Sequence, residues 1–424
     1  MSLEARVGAA LDRLHPGGAL GLAVSGGGDS TALAALAADW AAARGVRLAA
    51  LCVDHGLRPE SAAEAETARR ALERLGAPAQ VARWEGWDGR GNLQAEARAA
   101  RSRLIADWAR AEGLAAVATG HTRDDQAETL LLRLARGSGV DGLAAMAERS
   151  ERAGVLWLRP LLETSRAELR DWLRARGLSW VEDPSNDDPR FDRVRARRAL
   201  AALAPLGLTA EGLAATAARM RRARAALDVQ TAALASRAAL VGLLGEVALD
   251  RPALLSTPEE IALRLLAGAA RAASGAEHPP RLSGLTGLLE AVTARESGGR
   301  ALHGCVVRWT RARLLVAREP AAAARAAAPV GGLWDGRFAV DPDGEGAVAA
   351  LGASGEAALA AARACGDWSP PAHWRAAPRA ARLSAPALWR GATLAAAPLA
   401  CYGSGLVARR AARVELPGAA LMCL

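Results

Sequence analysis

The stretch that decides the fold is Leu20-Gly-Leu-Ala-Val-Ser-Gly-Gly-Gly-Asp-Ser-Thr31: an apolar strand, three glycines between Ser25 and Asp29, then the start of a helix near Ser30. Glycines let backbone amides approach phosphate oxygens, and the first turn of a helix adds unpaired amides at a positive dipole end. The loop Ser25, Gly26, Gly27, Gly28, Asp29, Ser30 therefore reads as an anion cradle. It lacks the Gly-Lys-Ser/Thr ending of a Walker loop and the spacing of a dinucleotide fingerprint. Asp29 would repel a phosphate unless a divalent cation lay between them, so the loop predicts Mg²⁺ together with a nucleotide.

Outward from this loop, short apolar runs alternate with longer amphipathic ones, the pattern of strand-helix units around a parallel sheet. Strands are expected at Ala19 to Val24, Val46 to Val53, Gln80 to Trp84, Ala115 to Thr119 and Val155 to Leu158. Helices are expected near Thr31 to Ala43, Ser61 to Leu75, Leu93 to Glu112, Asp125 to Ala135 and Arg166 to Arg176. Ser61 and Ser165 stand where caps belong, and Gly76, Gly113, Gly137 and Gly177 where helices should stop. After about Leu206 the alternation gives way to Ala/Leu/Arg helical stretches, beginning with Glu211 to Arg237, and then to an extended segment from Ala301 to Ala317. The expected organisation is an α/β domain at 1–205, its parallel sheet carrying helices on both faces. A mainly helical second domain follows at 206–319, then a linker at 320–332 and a C-terminal region at 333–424 of unassigned role.

Open parallel sheets bind ligands at the carboxyl ends of their strands. Strand two ends in Val53-Asp54-His55-Gly56, and strand four in Thr119-Gly120-His121, followed by Arg123, Asp124, Asp125, Gln126 and Glu128. A lone His or Asp at such a place is commonly a cap or turn residue; here two histidines and four acids converge on the edge that carries the glycine loop. Asp125 and Glu128 are three apart, so they share a helix face and can hold a cation or an amine. Arg98 and Arg101 have the same spacing on the preceding helix; Arg101 can serve as a charge-assisted donor to a polyphosphate, whereas Arg98 reads as solvated surface.

The chain has 424 residues, which calls for two or three domains, and 51% hydrophobic with 23% charged residues is ordinary for a globular protein. It contains no lysine; arginine alone supplies a formal net charge of +9. That balance suits a polyanionic partner, although an arginine- and alanine-rich composition raises the pI by itself. The five cysteines are scattered, with no Cys-x-x-Cys pair, so neither a disulfide framework nor a zinc site is indicated. No stretch approaches the roughly eighteen apolar residues of a membrane span, and the expected location is cytoplasmic, with no membrane partner. A homodimer is compatible with the sequence.

With these residues in place, SGGGDS resembles the signature of the PP-loop ATP pyrophosphatase superfamily (adenine nucleotide alpha hydrolase-like), whose members cleave ATP between the α and β phosphates. The segments VDHGLR from Val53, NLQAEAR from Asn92, GHTRDDQAET from Gly120, LARGSG from Leu134, RPLL from Arg159 and VEDPSN from Val181 narrow the resemblance. Together they look like the tRNA(Ile)-lysidine synthetase family, over about residues 20 to 200. That resemblance implies a ligation at the wobble cytidine of an isoleucine tRNA with a CAU anticodon, using ATP, Mg²⁺ and free L-lysine. On it, Ser25 to Ser30 with Asp54, His55 and Arg101 would bind ATP, and Asp29 and Asp125 would hold Mg²⁺. Asp125 and Glu128 would receive the lysine ammonium. Asp29, His121 and Asp125 would be the catalytic group, with His121, and less so His55, contacting the nucleotide or accepting the amine proton. Arg193, Arg195, Arg197 and Arg198, with Arg190, would face the tRNA; the second cluster Arg219, Arg221, Arg222 and Arg224 could equally be a solvated helix face. Gly28 stands where the superfamily often has lysine, so one phosphate-facing cation is missing.

Competing readings are a PP-loop tRNA thiolase, a small-molecule synthetase of the same superfamily and a non-catalytic tRNA-binding protein. Sulfur transfer usually needs paired cysteines, and only Cys52 lies in the first domain. A synthetase without RNA would leave the arginine clusters and VDHGLR unexplained.

Overall fold

The fold is that of a computed structural model, which describes all residues except 55, 57–60, 85–92, 183–189, 328–332, 344, 412–415 and 422–424. Met1–Ala225 forms one compact unit and Ala226–Leu424 another.

The first unit runs α1 (Leu3–Leu14), β1 (Leu20–Val24), α2 (Gly28–Arg44), β2 (Leu48–Asp54), α3 (Ser61–Arg74), β3 (Ala79–Arg83), α4 (Leu93–Ala111) and β4 (Ala116–Thr119). It continues through α5 (Arg123–Leu134), α6 (Val140–Leu143), β5 (Arg149–Arg152), β6 (Val155–Leu158), α7 (Arg166–Ala175) and α8 (Asp192–Leu203) into the long α9 (Ala210–Ala238). The sheet order is β3-β2-β1-β4-β6-β5, with every neighbouring pair parallel except the antiparallel β5–β6 edge.

β1 is buried along its whole length because both faces of the sheet are covered. Its Leu20, Leu22 and Val24 join the core formed with α1, α2, α3 and α7, whereas Ala23 joins Ile105, Ala106, Trp108 and Ala109 of α4 on the opposite face. Each such aliphatic side chain removed from water contributes about 1.5–3 kcal/mol. Gly21 lies beneath Trp108: a Cβ there would stand 2.8 Å from Leu114 Cδ1 and 3.0 Å from the indole. A larger residue would push the tryptophan off the strand.

Successive strands step one way from β1 to β2 and β3, then the chain crosses to β4 on the other side of β1. The β1–α2 and β4–α5 connections therefore leave the sheet side by side at its topological switch point, where open α/β sheets form their crevice. Gly120 permits that approach, since a Cβ on it would lie 3.0 Å from the Asp29 carbonyl group and from Ser30 Cα.

The second unit holds β7 (Ala239–Val241), β8 (Val247–Asp250), α10 (Arg251–Leu255), α11 (Glu259–Ser274), α12 (Leu282–Ala294), β9 (Gly298–Leu302), β10 (Cys305–Trp309), β11 (Arg313–Arg318) and α13 (Pro320–Ala323). The extended segment expected from Ala301 thus becomes consecutive antiparallel strands. A last strand, β12 (Ala420–Leu421), adds to the same sheet beside β7, giving the order β12-β7-β8-β11-β10-β9. The intervening chain, weakly periodic in sequence, builds two further small sheets around Trp334, Phe338, Trp374 and Leu388. Among the described residues no single helix is long and apolar enough to cross a membrane.

Candidate active site

The glycine loop closes on itself through short hydrogen bonds. Ser30 Oγ donates to Gly27 O (2.9 Å) and receives the Ser25 amide (3.2 Å), while Thr31 Oγ1 donates to Gly26 O (3.3 Å). The amide of Val181 donates to Gly26 O (2.9 Å), tying the loop to the segment after α7. Gly26 has φ +82°, a left-handed conformation that glycine adopts without strain, and a Cβ there would also press on Ala68. The N-cap of α2 is Gly27, which offers no side chain to the first-turn amides. By contrast α5 and α7 are closed by capping boxes, Thr122 with Asp125 and Ser165 with Glu168. The one helix of the three left uncapped is the one that starts at the glycine loop, where an anion can take the cap's place. Gly28 faces Trp180, whose indole would lie 3.4 Å from a Cβ at that position.

Asp29, Asp125 and Glu128 converge on Arg166 at the first position of α7. Its Nε donates to Asp29 Oδ2 (3.2 Å), its Nη2 to Asp125 Oδ1 (2.6 Å) and its Nη1 to Glu128 Oε1 (2.6 Å). The backbone amide of Arg166 donates to Asp124 Oδ2 (2.9 Å), so Asp124 holds the start of α7 and Asp125 faces the cluster. From α8, Arg193 Nη1 reaches Asp125 Oδ1 (3.3 Å) and Arg197 Nε reaches Glu128 Oε1 (3.2 Å). These two arginines, four apart, share one helix face. Arg195 turns instead to Asp192 and the Arg190 carbonyl, and both Arg195 and Arg198 are exposed.

The electrostatics follow from that geometry. Burial pushes the Asp29 carboxyl above its ordinary value against the pull of Arg166, the state of an acid that gains from a further cation. For Asp125 burial also acts upward, but Arg166, Arg193 and His121 outweigh it and hold the carboxyl below the usual range. Asp125 Oδ2 is meanwhile occupied by the Thr122 amide (2.8 Å) and hydroxyl (3.0 Å). Glu128 Oε2 is buried with no hydrogen-bond partner among the described residues.

His121 Nδ1 lies 2.9 Å from Thr119 Oγ1, whose hydroxyl donates to Leu158 O (3.3 Å). A hydroxyl has one proton to give, so this pattern assigns the proton of the imidazole to Nδ1 and leaves the Nε2 lone pair for an acceptor role. Burial brings the imidazole down to about 3, so it is neutral near pH 7. Arg101 makes no hydrogen bond or ion pair among the described residues, and burial together with Arg98 and Arg193 lowers its proton affinity. A half-buried guanidinium among other arginines is poised for an anion.

The sequence-derived residues thus divide. The Ser25–Ser30 loop, Asp29, Asp125, Glu128, Arg193 and Arg197 form one connected site, and His121 and Arg101 act electrostatically on one another and adjoin it. Asp54 is engaged by its neighbours, its Oδ1 receiving the Gly56 amide (2.8 Å) and the Ser61 hydroxyl (2.6 Å). His55 lies outside the described residues, as does most of VEDPSN. Sequence reasoning missed Arg166 as a site residue. The signal was present, an arginine directly after the cap serine of a Ser-x-x-Glu capping box following RPLL, but the direction of its side chain depends on how α7 packs. Trp180 was missed for the same reason.

The donor set fits a Mg²⁺ held chiefly by phosphate oxygens with Asp29 as a protein carboxylate, whereas Asp125, whose two oxygens already accept four hydrogen bonds, would join it only by exchange. Such ions commonly take one or two carboxylates beside the substrate phosphates. Asp29 Oδ1 carries no hydrogen bond among the described residues, and no cluster of three or more His, Cys, Asp or Glu side chains capable of holding a metal without a substrate is found among them.

Comparison with known proteins identifies the family. The PP-loop domain family matches residues 2–204. The tRNA(Ile)-lysidine synthase of Ruegeria pomeroyi is 46% identical over 393 residues, covering 92% of this chain and 90% of that protein. The enzyme of the same name from Rhodopseudomonas palustris is 43% identical, covering 71% of this chain and 91% of its own, and that of Wolbachia pipientis is 38% identical, covering 70% of each. Among solved structures, the U34-tRNA thiolase NcsA of Methanococcus maripaludis is similar at 18% identity and a TM-score of 0.43, over 52% of this chain and 77% of that one. With the motifs of the first unit in place and identity to curated relatives extending over nearly the whole length, the chain belongs to the tRNA(Ile)-lysidine synthase family.

Proposed function

We propose that the chain is an ATP-dependent C–N ligase that joins L-lysine to C2 of the wobble cytidine of tRNA(Ile) bearing a CAU anticodon. The reaction has two steps. The C2 oxygen of the base attacks the α-phosphate of ATP, forming an adenylated cytidine and releasing pyrophosphate. The uncharged ε-amine of lysine then attacks C2, AMP leaves with the former C2 oxygen, and the surplus amine proton passes to an acceptor. The product, lysidine, reads AUA instead of AUG and is charged with isoleucine instead of methionine.

The observation that carries this reading is the pairing of an uncapped glycine-loop helix with the acids Asp29, Asp125 and Glu128 on the facing connection. The first binds polyphosphate; the second binds cations, one of them an amine. The α2 amides and Arg101 stabilise charge that develops on the departing pyrophosphate. Mg²⁺, when bound at Asp29 and Asp125, would neutralise the same oxygens. Asp125 and Glu128 orient the lysine side chain, and the Nε2 lone pair of His121 accepts the amine proton. Arg195 and Arg198, exposed on α8, would meet RNA phosphates. Catalysis is expected in the cytoplasm, where the tRNA is found.

Sulfur transfer fits less well. A thiol acts as thiolate, yet Cys52, the single cysteine of Met1–Ala225, is buried and pushed up to about 11 by that burial. The test is incubation of the purified protein with ATP, labelled lysine and unmodified tRNA(Ile) with a CAU anticodon. Label should enter this tRNA with release of AMP; absence of label alongside transfer of sulfur or another amine refutes the assignment.

A further inference from the structure

Every acceptor position of Asp125 is used: Oδ1 receives Arg166 and Arg193, and Oδ2 receives the Thr122 amide and hydroxyl. Glu128 Oε1 receives Arg166 and Arg197, which leaves Glu128 Oε2 as a buried oxygen without a hydrogen-bond partner among the described residues. An alkylammonium carries three donors and needs more than one oxygen. On α5 it therefore finds one open acceptor, Glu128 Oε2, and must gain any other there by exchange with a donor already in place, since Asp29 Oδ1, the other oxygen of the cluster without a hydrogen bond among the described residues, is assigned to Mg²⁺. Arg193 and Arg197 bind at 3.2–3.3 Å through half-exposed side chains, whereas Arg166 binds Asp125 and Glu128 at 2.6 Å with its side chain only 17% exposed. Arg166 is also the group that spans from the loop acid Asp29 to the helix acids of α5.

Resting on the proposed lysine reading, we infer that Arg166 is a positioning residue for the substrate amine. Its planar fork holds Asp29, Asp125 and Glu128 assembled before and after lysine arrives, and the lysine ammonium enters at Glu128 Oε2 and takes over acceptor positions from the more loosely held Arg193 and Arg197. An internal guanidinium that bridges the three carboxylates keeps them correctly spaced, which an acidic pocket without it could not do. A lysine at the same position cannot reproduce this, because an ammonium is a point donor without the rigid fork.

The role is separable from folding. α7 is anchored without the Arg166 side chain: its N-terminus by the Ser165–Glu168 capping box and the backbone bond to Asp124, its body by Leu169 and Leu173 in the core. Arg166→Lys and Arg166→Met should therefore remain folded, as judged by circular dichroism and thermal unfolding. Steady-state kinetics of Arg166→Lys with tRNA(Ile) should show the KM for lysine raised by about tenfold or more, the size of losing a charged hydrogen bond. The KM for ATP should stay within about threefold. Calorimetry of L-lysine into the protein loaded with a non-hydrolysable ATP analogue should show the same loss of affinity without turnover. In a Glu128→Gln background, the effect of Arg166→Met on lysine affinity should largely vanish, since the two act as one unit.

A parallel rise in both KM values, or a lysine KM unchanged in Arg166→Lys, overturns the inference. Full additivity of Arg166→Met and Glu128→Gln overturns it as well. Failure of the wild-type protein to ligate lysine at all would instead remove the functional reading on which it rests.

Discussion

Gly120→Ala probes the meeting of the two connections that form the site. A Cβ at this position would lie 3.0 Å from the carbonyl carbon and oxygen of Asp29 and from Ser30 Cα. Comfortable carbon contacts start near 3.5 Å, and the atoms in the way are backbone, so no side-chain rotation relieves the clash. Either the first turn of α2 or the β4–α5 connection must shift by about half an ångström. Overpacking of this kind costs about 1–3 kcal/mol. Divided between fold and site, that sum appears partly as a lowered urea midpoint and partly as an ATP KM raised by about twofold to tenfold, because the phosphate-facing amides lie on the turn that moves. Gly8→Ala is the control. It sits within α1, where a Cβ meets only Trp40 Cδ1 at 3.9 Å, so the same chemical change should stabilise the protein by about 0.5–1 kcal/mol. A Gly120→Ala protein with unchanged unfolding midpoint and unchanged ATP KM would refute the close approach on which the site geometry depends.

Other outcomes follow from single contacts. Glu168 accepts the Ser165 amide at the α7 cap and then Arg6, which together bring its carboxyl down to about 2. The stabilisation is therefore complete above the ordinary value of 4.5 and fades as pH falls towards 2. Thermal unfolding of Glu168→Gln should lie below wild type near neutral pH and converge with it in acid; a constant gap contradicts this. Cys52→Ala removes a buried thiol with no proposed part in the chemistry, and lysine transfer should persist at close to the wild-type rate. Its abolition would favour sulfur chemistry. Replacing Arg195 and Arg198 with glutamine should weaken tRNA binding and flatten its salt dependence while leaving ATP affinity nearly unchanged, as filter binding across a salt series would show.

Much of the first unit was legible because its signals are local. A continuous apolar strand, a glycine turn and a helix start at Leu20–Thr31 specify β1 and α2, and repeated strand-helix alternation gives the sheet. The edge strand β5 escaped notice because Arg149-Ser-Glu-Arg152 has no apolar face: it pairs on one side with β6 and is otherwise exposed. Asp29, Asp125 and Glu128 could be singled out from spacing and charge. What spacing could not supply was long-range packing, which alone brings Arg166 of α7 and Arg193 and Arg197 of α8 onto those acids. The consequence for function is concrete, since two arginines assigned to RNA spend their charge inside the site. The sequence after 320 was opaque because its strands are short and alanine-rich, and alanine marks neither a buried nor an exposed face. Trp334 and Phe338, on which one of its small cores is built, give no periodic pattern.

The central claim is that this site adenylates a tRNA base and then aminates it with lysine. The most direct measurement is mass spectrometry of nucleosides from tRNA(Ile) with a CAU anticodon after incubation with the protein, ATP and lysine, with AMP and pyrophosphate quantified in parallel. The account predicts lysidine at the wobble position, one AMP and one pyrophosphate for each lysine joined, and no product from Asp29→Asn protein that is otherwise folded. An unmodified wobble cytidine despite ATP cleavage, or modification of equal extent with Asp29→Asn, would contradict it.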